Sequence, residues 1–107
     1  MNDDGILLRI CVYSDEQYNG TCLYEQIVLK ARELGMSGAT VTKGMMGFIG
    51  ESKIHKPTLC KHSESLPVIV EIADTEENVN KLLPFLDGMI KEGLVTSERI
   101  ILQFRSA

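Results

Sequence analysis

Two hydrophobic periodicities alternate along this chain of 107 residues, and their order constrains the fold more than any other feature. Apolar residues at every second position indicate strands, and apolar residues at spacings of three and four indicate helices. The strand pattern covers Ile6 to Tyr13, Gly38 to Thr42, Leu66 to Ala73 and Arg99 to Phe104. The helix pattern runs from Thr21 to Leu34 and again after Asp74. The predicted order is therefore β-α-β-β-α-β.

Short signals mark the expected ends of the helices. Thr21 can accept a hydrogen bond from a first-turn amide, and Gly35 stands where a left-handed residue commonly ends a helix. Asp74 and Glu77 predict an acidic capping box at the start of the second helix. Pro84 predicts a kink or an early break in that helix, because proline lacks an amide donor and clashes with the carbonyl four residues earlier.

The element order favours one α+β domain spanning residues 1–107, with the ferredoxin-like arrangement of an antiparallel sheet that carries two helices on one face. The opposite face of such a sheet would expose Leu7, Cys11, Ile69 and Ile101. An apolar patch of this kind is commonly buried against other subunits, so we expect a homo-oligomer.

The segment from Gly44 to Pro67 follows neither periodicity. It is rich in glycine and lysine and contains both histidines of the chain. Loops longer than about 12 to 15 residues in a compact domain are usually functional or disordered, so we interpret this segment as a working loop. We expect Phe48 to anchor the base of the loop, and the roles of Met45 and Met46 stay open.

Charge and chemistry argue against several functional classes. The formal net charge is −4 with scattered lysines and arginines, which argues against nucleic-acid binding. The apolar runs are no longer than strands, so the chain is not expected to be membrane-embedded, and we expect a cytoplasmic protein. We find no acid/base pair, nucleophile triad or cofactor fingerprint, so we do not expect an enzyme.

The cysteines and histidines offer one metal-binding hypothesis. Cys11, Cys22 and Cys60 form no CxxC pair, and their odd number suits reduced thiols. His55, Cys60 and His62 lie close together in the loop and are competent zinc or copper ligands. Their spacing matches no structural metal site, so ordinary loop polarity is the favoured interpretation and metal binding the alternative.

The glycines from Gly44 to Gly50 form a second candidate site. Glycine lets backbone amides converge on an anion, so this stretch could cradle a phosphate, or it could simply hinge the loop. Lys53, Lys56 and Arg99 could add positive charge to such a site, although each could equally be a solvated surface cation.

The run Gly38-Ala39-Thr40-Val41-Thr42, followed by Gly47-Phe48-Ile49-Gly50, resembles the run that leads into the T-loop of PII signalling proteins. Further segments extend the resemblance over nearly the whole chain: Tyr18-Asn19-Gly20, Leu23-Tyr24-Glu25, Lys30-Ala31-Arg32-Glu33-Leu34-Gly35, Ser52-Lys53-Ile54-His55 and Leu66-Pro67-Val68-Ile69-Val70-Glu71. Together they are most similar to a short, largely uncharacterised PII-like family, related in fold to nitrogen regulatory protein PII and to CutA.

This resemblance implies a homotrimer with an adenine nucleotide bound in the clefts between subunits. The implied site places the base near Thr40, Val41 and Thr42 and the phosphates near Gly47, Phe48 and Gly50, with Arg99 as a further candidate. Binding would switch the loop 44–67, which would contact a regulated partner such as a transporter or channel. The alternative that the resemblance raises is a CutA-like trimer that binds metal through the loop histidines and cysteine. A plain assembly module without a small ligand is a third.

The chain departs from PII proteins at a phosphate-binding run. Where PII proteins carry Gly-Asp-Gly-Lys-Ile-Phe-Val, this chain reads Thr96-Ser97-Glu98-Arg99-Ile100-Ile101-Leu102. The loop also lacks the tyrosine of the uridylylation motif. PII chains continue into a further segment with phosphate-binding arginines, whereas this sequence ends at Gln103-Phe104-Arg105-Ser106-Ala107. Nucleotide binding can survive these changes, but regulation by uridylylation does not follow from the resemblance.

Overall fold

Eight elements make up the computed structural model, which describes residues 3–56 and 65–105. In chain order they are β1 (Asp3–Tyr13), β2 (Gln17–Tyr18), β3 (Thr21–Cys22), α1 (Leu23–Glu33), β4 (Ala39–Lys43), β5 (Pro67–Asp74), α2 (Glu76–Met89) and β6 (Leu94–Leu102). The predicted α+β class is confirmed. The short strands β2 and β3 form a small hairpin between β1 and α1.

The four long strands form one sheet in the order β4-β5-β1-β6, and every pair is antiparallel. Strand β1 is central and pairs with β5 along one side and with β6 along the other. Strands β4 and β6 are therefore the two outer strands. This is the predicted ferredoxin-like topology.

The core lies between the sheet and the two helices. Alternate residues of β1 and β5 are buried against the helices, which is the expected pattern for a sheet covered on one face. The strand residues are Leu8, Ile10, Val12, Val68, Val70 and Ile72. The helix residues are Leu23, Ile27, Ala31, Val79, Leu82, Leu86 and Met89.

Helix α1 ends as its sequence predicts. Gly35 has a φ of 79°, and its amide donates to the Arg32 carbonyl at 3.1 Å. The next amide, that of Met36, donates to the Ala31 carbonyl at 3.0 Å. This pair of bonds is a Schellman motif, in which a left-handed glycine satisfies the last carbonyls of the helix.

The predicted cap at Thr21 is wrong. Helix α1 begins at Leu23, and its N-cap residue Cys22 makes no side-chain capping bond. Thr21 lies instead in the β2–β3 hairpin, where its hydroxyl donates to the Tyr18 carbonyl at 3.4 Å and accepts from the side chain of Gln26. Thr21 pairs with Tyr18 across this hairpin and so belongs to β3, not to the start of the helix.

The start of α2 also differs from the prediction by one residue. Thr75 is the N-cap, and its side chain accepts from the Asn78 amide at 3.2 Å. The predicted capping box between Asp74 and Glu77 is therefore wrong, because Asp74 turns inward and is only 2% exposed. The predicted early break at Pro84 is wrong as well, since α2 continues through it to Met89.

Strand β6 begins earlier than predicted, at Leu94, and Phe104 lies beyond its end. The first residues of β6 are exposed and include both polar and apolar side chains. The alternation that marks a buried strand is therefore weak in this part of β6. Register places Ile101 opposite Asp4, on the helix side of the sheet with Leu8. The prediction that Ile101 lies on the open face is wrong, although its side chain is 67% exposed. Leu7, Cys11 and Ile69 are half-buried on the open face.

Neither helix of the described residues has the length and apolar character needed to cross a membrane.

Candidate functional site

An open groove of about 720 Å³ lies at one end of the sheet, where β1 and β4 begin and β5 and β6 end. Thr40, Leu7, Ala73 and Glu71 belong to its floor on the open face. The remaining lining residues come from the ends of the four strands and from the segments that adjoin them: Asp3, Ser37, Gly38, Ala39, Asp74, Thr75, Leu102, Gln103 and Phe104. The groove thus combines apolar walls with a few polar groups, as ligand sites commonly do.

The electrostatics of this groove are acidic. Asp3 and Glu71 contribute carboxylates to the lining. Arg9 partly offsets Glu71, with its Nε at 3.5 Å from Glu71 Oε2, but its Nη1 lies closer to Glu98, at 2.7 Å. A groove of this character suits a neutral heterocycle with amino groups better than a phosphate, since the carboxylates repel anions.

Only Thr40 of the predicted base-binding residues lines the groove. Thr40 pairs with Glu71 and Thr42 with Ile69, which puts both threonines on the open face. Val41 points to the helix side and packs against the core. Because β4 is an outer strand, backbone groups along its free edge remain available to a ligand or to another chain.

The loop base, where the phosphates are predicted, is held by backbone hydrogen bonds. The Gly44 amide donates to the Pro67 carbonyl at 2.7 Å. Gly47 and His55 exchange two bonds, at 2.8 Å and 2.7 Å, and so form an antiparallel bridge. The Gly47 amide would therefore have to leave His55 in order to donate to a phosphate. Gly50 has a positive φ of 59° and is exposed.

Tyr13 fastens this loop to the end of β1. Its buried hydroxyl accepts from the Ile49 amide at 2.9 Å and shares a hydrogen bond with the Ser52 hydroxyl. Its ring stacks on the ring of His55, with centroids 4.0 Å apart. The His55 Nδ1 donates in turn to the Ser65 carbonyl at 2.8 Å, which fixes the proton on that nitrogen. Tyr13 was not predicted as a loop contact, although a tyrosine at a strand end beside a long loop commonly finds a polar partner when buried.

The predicted anchor of the loop base is wrong. Phe48 is 63% exposed, whereas its neighbour Ile49 is only 5% exposed and is the residue held by Tyr13. Met45 and Met46 are also exposed. The bridge at Gly47 decides this outcome, because successive side chains of an extended segment point to opposite sides.

Replacing Tyr13 with phenylalanine is expected to loosen the loop base while leaving the sheet intact. The change keeps the stacked ring and removes the hydroxyl that accepts from Ile49, which costs about 1 kcal/mol. Native-state hydrogen exchange should show the Ile49 amide exchanging about fivefold faster. Tyr24→Phe is the matched control, because the Tyr24 hydroxyl has no hydrogen-bond partner among the described residues. Equal exchange at Ile49 in the Tyr13→Phe and wild-type proteins would contradict the fastening role.

Arg99 lies far from the other predicted nucleotide-binding residues within one chain. It belongs to β6, the outer strand opposite β4, so the width of three strand spacings, roughly 14 Å, separates it from Thr40. Its exposed guanidinium lies 3.6 Å from the carboxylate of Glu76. One copy of the chain therefore does not bring Arg99 together with Thr40 or Gly47.

The alternative metal site can be described only in part. Cys60 and His62 lie outside the described residues, and His55 already uses Nδ1 for its bond to Ser65. Within residues 3–56 and 65–105, no group of three or more potential ligands is placed to hold a metal ion. Cys11 and Cys22 are free thiols, and burial raises the pKa of Cys11.

Comparison with known proteins identifies the family. The model of the DUF190 family, described as an uncharacterized ACR, matches residues 5–102. A UPF0166 protein of Aquifex aeolicus is 37% identical over 94 residues, which cover 88% of this chain and 89% of the relative. A UPF0166 protein of Methanocaldococcus jannaschii is 37% identical over 90 residues, covering 83% and 82%.

Solved structures share the fold at lower identity. The nitrogen regulatory PII-like protein CPII of Thiomonas intermedia K12, bound to ADP, AMP and bicarbonate, matches with a TM-score of 0.68 and 19% identity over 95% of this chain and 91% of the other. The GlnK-ATP complex of B. subtilis matches with a TM-score of 0.59 and 13% identity over 91% and 82%. These likenesses establish a PII-like fold. The chain belongs to the DUF190 family of uncharacterized proteins.

Proposed function

We propose that this protein is a cytoplasmic, non-enzymatic regulator of PII type that binds an adenine nucleotide between the subunits of a homotrimer. Binding switches the loop 44–67 and so alters its contact with a regulated partner. The observation that carries the proposal is the groove on the open sheet face, with Thr40 in its lining and β4 at its edge. The structures of CPII with ADP and AMP and of GlnK with ATP support the choice of ligand, since both share this fold.

The groove suits the base of the nucleotide. Adenine is a flat heterocycle whose edges carry an amino donor and ring-nitrogen acceptors. Leu7, Ala73 and Phe104 offer apolar contact, while the Glu71 carboxylate and the Thr40 hydroxyl offer an acceptor and a donor. The same carboxylates disfavour a phosphate in the groove. The phosphates accordingly lie outside it, towards the glycines from Gly44 to Gly50, which follow the far end of β4. Four strand residues, roughly 13 Å, separate Thr40 from Gly44, so the nucleotide would lie extended along β4.

Phosphate binding at these glycines gives a direct route to a switch. In the structure the Gly47 amide donates to the His55 carbonyl. A phosphate that takes this amide removes one of the two bonds of the Gly47–His55 bridge, and the loop beyond it is then free to rearrange. Ligand and loop thus compete for one donor, which couples occupancy of the site to the conformation of the loop.

A second copy of the chain completes the site. Arg99 on β6 is too far from the groove to serve the same copy, but its exposed side chain is available to a neighbour. The half-buried apolar residues of the open face, Leu7, Cys11 and Ile69, provide the surface that the copies share. Arg99 pairs with Ile6 and so lies on the helix side of the sheet, where a neighbouring copy reaches it around the outer edge of β6.

Calorimetry tests the proposed function. Titration of the purified protein with ATP, ADP, AMP and cyclic AMP is expected to give saturable heat for at least one of them, with about one site per chain. Light scattering on the same sample is expected to give the mass of a trimer. Absence of heat for all four nucleotides at millimolar concentration would overturn the nucleotide proposal.

A further inference from the structure

Residues 45–48 and 53–56, in the first half of the loop 44–67, form a short arm that the Gly47–His55 bridge holds together. In an antiparallel bridge, residues directly opposite each other point to the same side, and their neighbours point to the other side. The His55 ring points inward and stacks on Tyr13. The neighbouring pairs therefore point away from the body of the protein: Met46 opposite Lys56, and Phe48 opposite Ile54.

This outward face is apolar and exposed. Met46, Phe48 and Ile54 each expose more than half of their surface. They are adjacent through the bridge, so they form one contiguous patch and not scattered apolar residues. Contiguous exposed apolar surface commonly marks a contact with another molecule.

Lysines lie within and next to the arm in sequence, although the chain as a whole is acidic. Lys43, Lys53 and Lys56 are exposed, and none forms an ion pair with another of the described residues. The acidic residue between them is Glu51. The arm thus carries the opposite charge to the chain's net charge of −4, so the surface that it fits is anionic.

We propose that the arm binds the surface of an anionic membrane. Met46, Phe48 and Ile54 enter the boundary between headgroups and acyl chains, while the three lysines contact anionic headgroups. The arm alone has too few residues for the roughly 800 Å² per partner that a stable protein interface buries, so a protein partner of the loop would also have to contact residues outside the arm. A lipid surface needs no matching shape, and several arms on one oligomer act together. The inference concerns the form in which the Gly47 amide donates to His55, because a phosphate that takes this amide would break the bridge that holds the arm together.

Vesicle flotation tests the proposal with the full chain. We expect the wild-type protein to float with vesicles of phosphatidylglycerol and phosphatidylcholine, but not with vesicles of phosphatidylcholine alone. The Lys53→Glu/Lys56→Glu variant should bind about tenfold more weakly or worse. The Phe48→Ser/Ile54→Ser variant, which changes no charge, should bind the anionic vesicles about tenfold more weakly than the wild type. Lys81→Glu/Lys91→Glu makes the same charge change at exposed lysines outside the arm and should stay within about twofold of wild type.

Two results would overturn the inference. One is failure of the wild-type protein to float with anionic vesicles at millimolar lipid. In that case an acidic protein segment, and not a membrane, would be the partner that fits the arm. The other is an equal loss of binding in the arm variants and in the Lys81→Glu/Lys91→Glu control, which would show attraction by overall charge alone. Thermal unfolding of each variant shows whether it is folded.

Discussion

The Asp74→Ala variant is expected to lose about 3 kcal/mol of unfolding free energy, a large share of the marginal stability of a small domain. Asp74 is buried, and its two carboxylate oxygens hold separate parts of the chain together. Oδ2 accepts from the Ser37 amide at 2.7 Å and from the Ser37 hydroxyl at 3.1 Å. Oδ1 accepts from the Thr75 amide at 2.6 Å and from the Asn78 side chain at 3.0 Å. Alanine leaves all of these donors without their acceptor.

Urea unfolding of the wild type, Asp74→Ala and Asp87→Ala measures this effect. Asp87 is an exposed aspartate of α2, so its replacement should change the unfolding free energy by less than about 0.5 kcal/mol. Asp74→Asn should also destabilise the chain, because an amide NH2 replaces one of the two carboxylate oxygens. This NH2 cannot accept a hydrogen bond, so either Ser37 or Thr75 loses its acceptor. If Asp74→Ala lost no more unfolding free energy than Asp87→Ala, the proposed role of Asp74 in holding separate parts of the chain together would be refuted.

The contribution of Asp74 also depends on pH. Burial alone would raise the pKa of this carboxyl, but the hydrogen bonds from Thr75, Asn78 and Ser37 outweigh it and hold the pKa below its ordinary value. The folded chain therefore binds fewer protons at Asp74 than the unfolded chain does. Its stabilising effect is complete above the ordinary aspartate pKa, about 3.9, and is lost as the pH falls through the lowered pKa. The difference between wild type and Asp74→Asn should shrink in that acidic range.

Filling the groove with an aromatic side chain is expected to weaken nucleotide binding about a hundredfold, equivalent to about 2.7 kcal/mol. Ala73 lines the groove and pairs with Leu7, so the ring of Ala73→Phe would occupy the space proposed for the base. Calorimetry with the nucleotide that binds the wild-type protein most tightly measures the loss. The prediction rests on the proposed function and tests its location.

Thr96→Phe is the matched control for this experiment. Thr96 lies on the same sheet face, opposite Arg9, but does not line the groove. Both variants should be sized by light scattering, since both add an aromatic ring to the face proposed to join the subunits. Wild-type affinity in Ala73→Phe would place the base elsewhere, even if the protein binds nucleotide.

The fold was predictable because the buried residues of β1 and β5 alternate regularly. The alternation of Leu8, Ile10 and Val12 indicates which face of β1 is buried. Gly35, which adopts a positive φ, indicates where α1 ends. Strand β6 was less predictable, because an exposed outer strand needs no regular alternation. The role of Asp74 was misjudged because a carboxylate at a helix start satisfies the same pattern whether it caps the helix or turns inward.

The candidate site was predictable only in outline. Thr40 was predicted through a family resemblance and does line the groove, but nothing local in the sequence indicates that Val41 belongs to the core or that Arg99 lies on the far edge. Strand order decides both, and strand order depends on pairings between distant residues. The contact of Tyr13 with Ile49 and His55 depends on tertiary packing in the same way.

The pairing of β1 with β6 also affects how the protein is made in the cell. Asp3 pairs with Leu102, and β6 is the last strand of the sheet in sequence. One edge of the central strand β1 is therefore uncovered until β6 has been synthesised. Contacts between such distant residues slow folding. During synthesis, a nascent chain that has assembled β4, β5 and β1 still presents a free β1 edge, which other strands can join. A chaperone that shields this edge until β6 has been synthesised would therefore increase the yield of native protein.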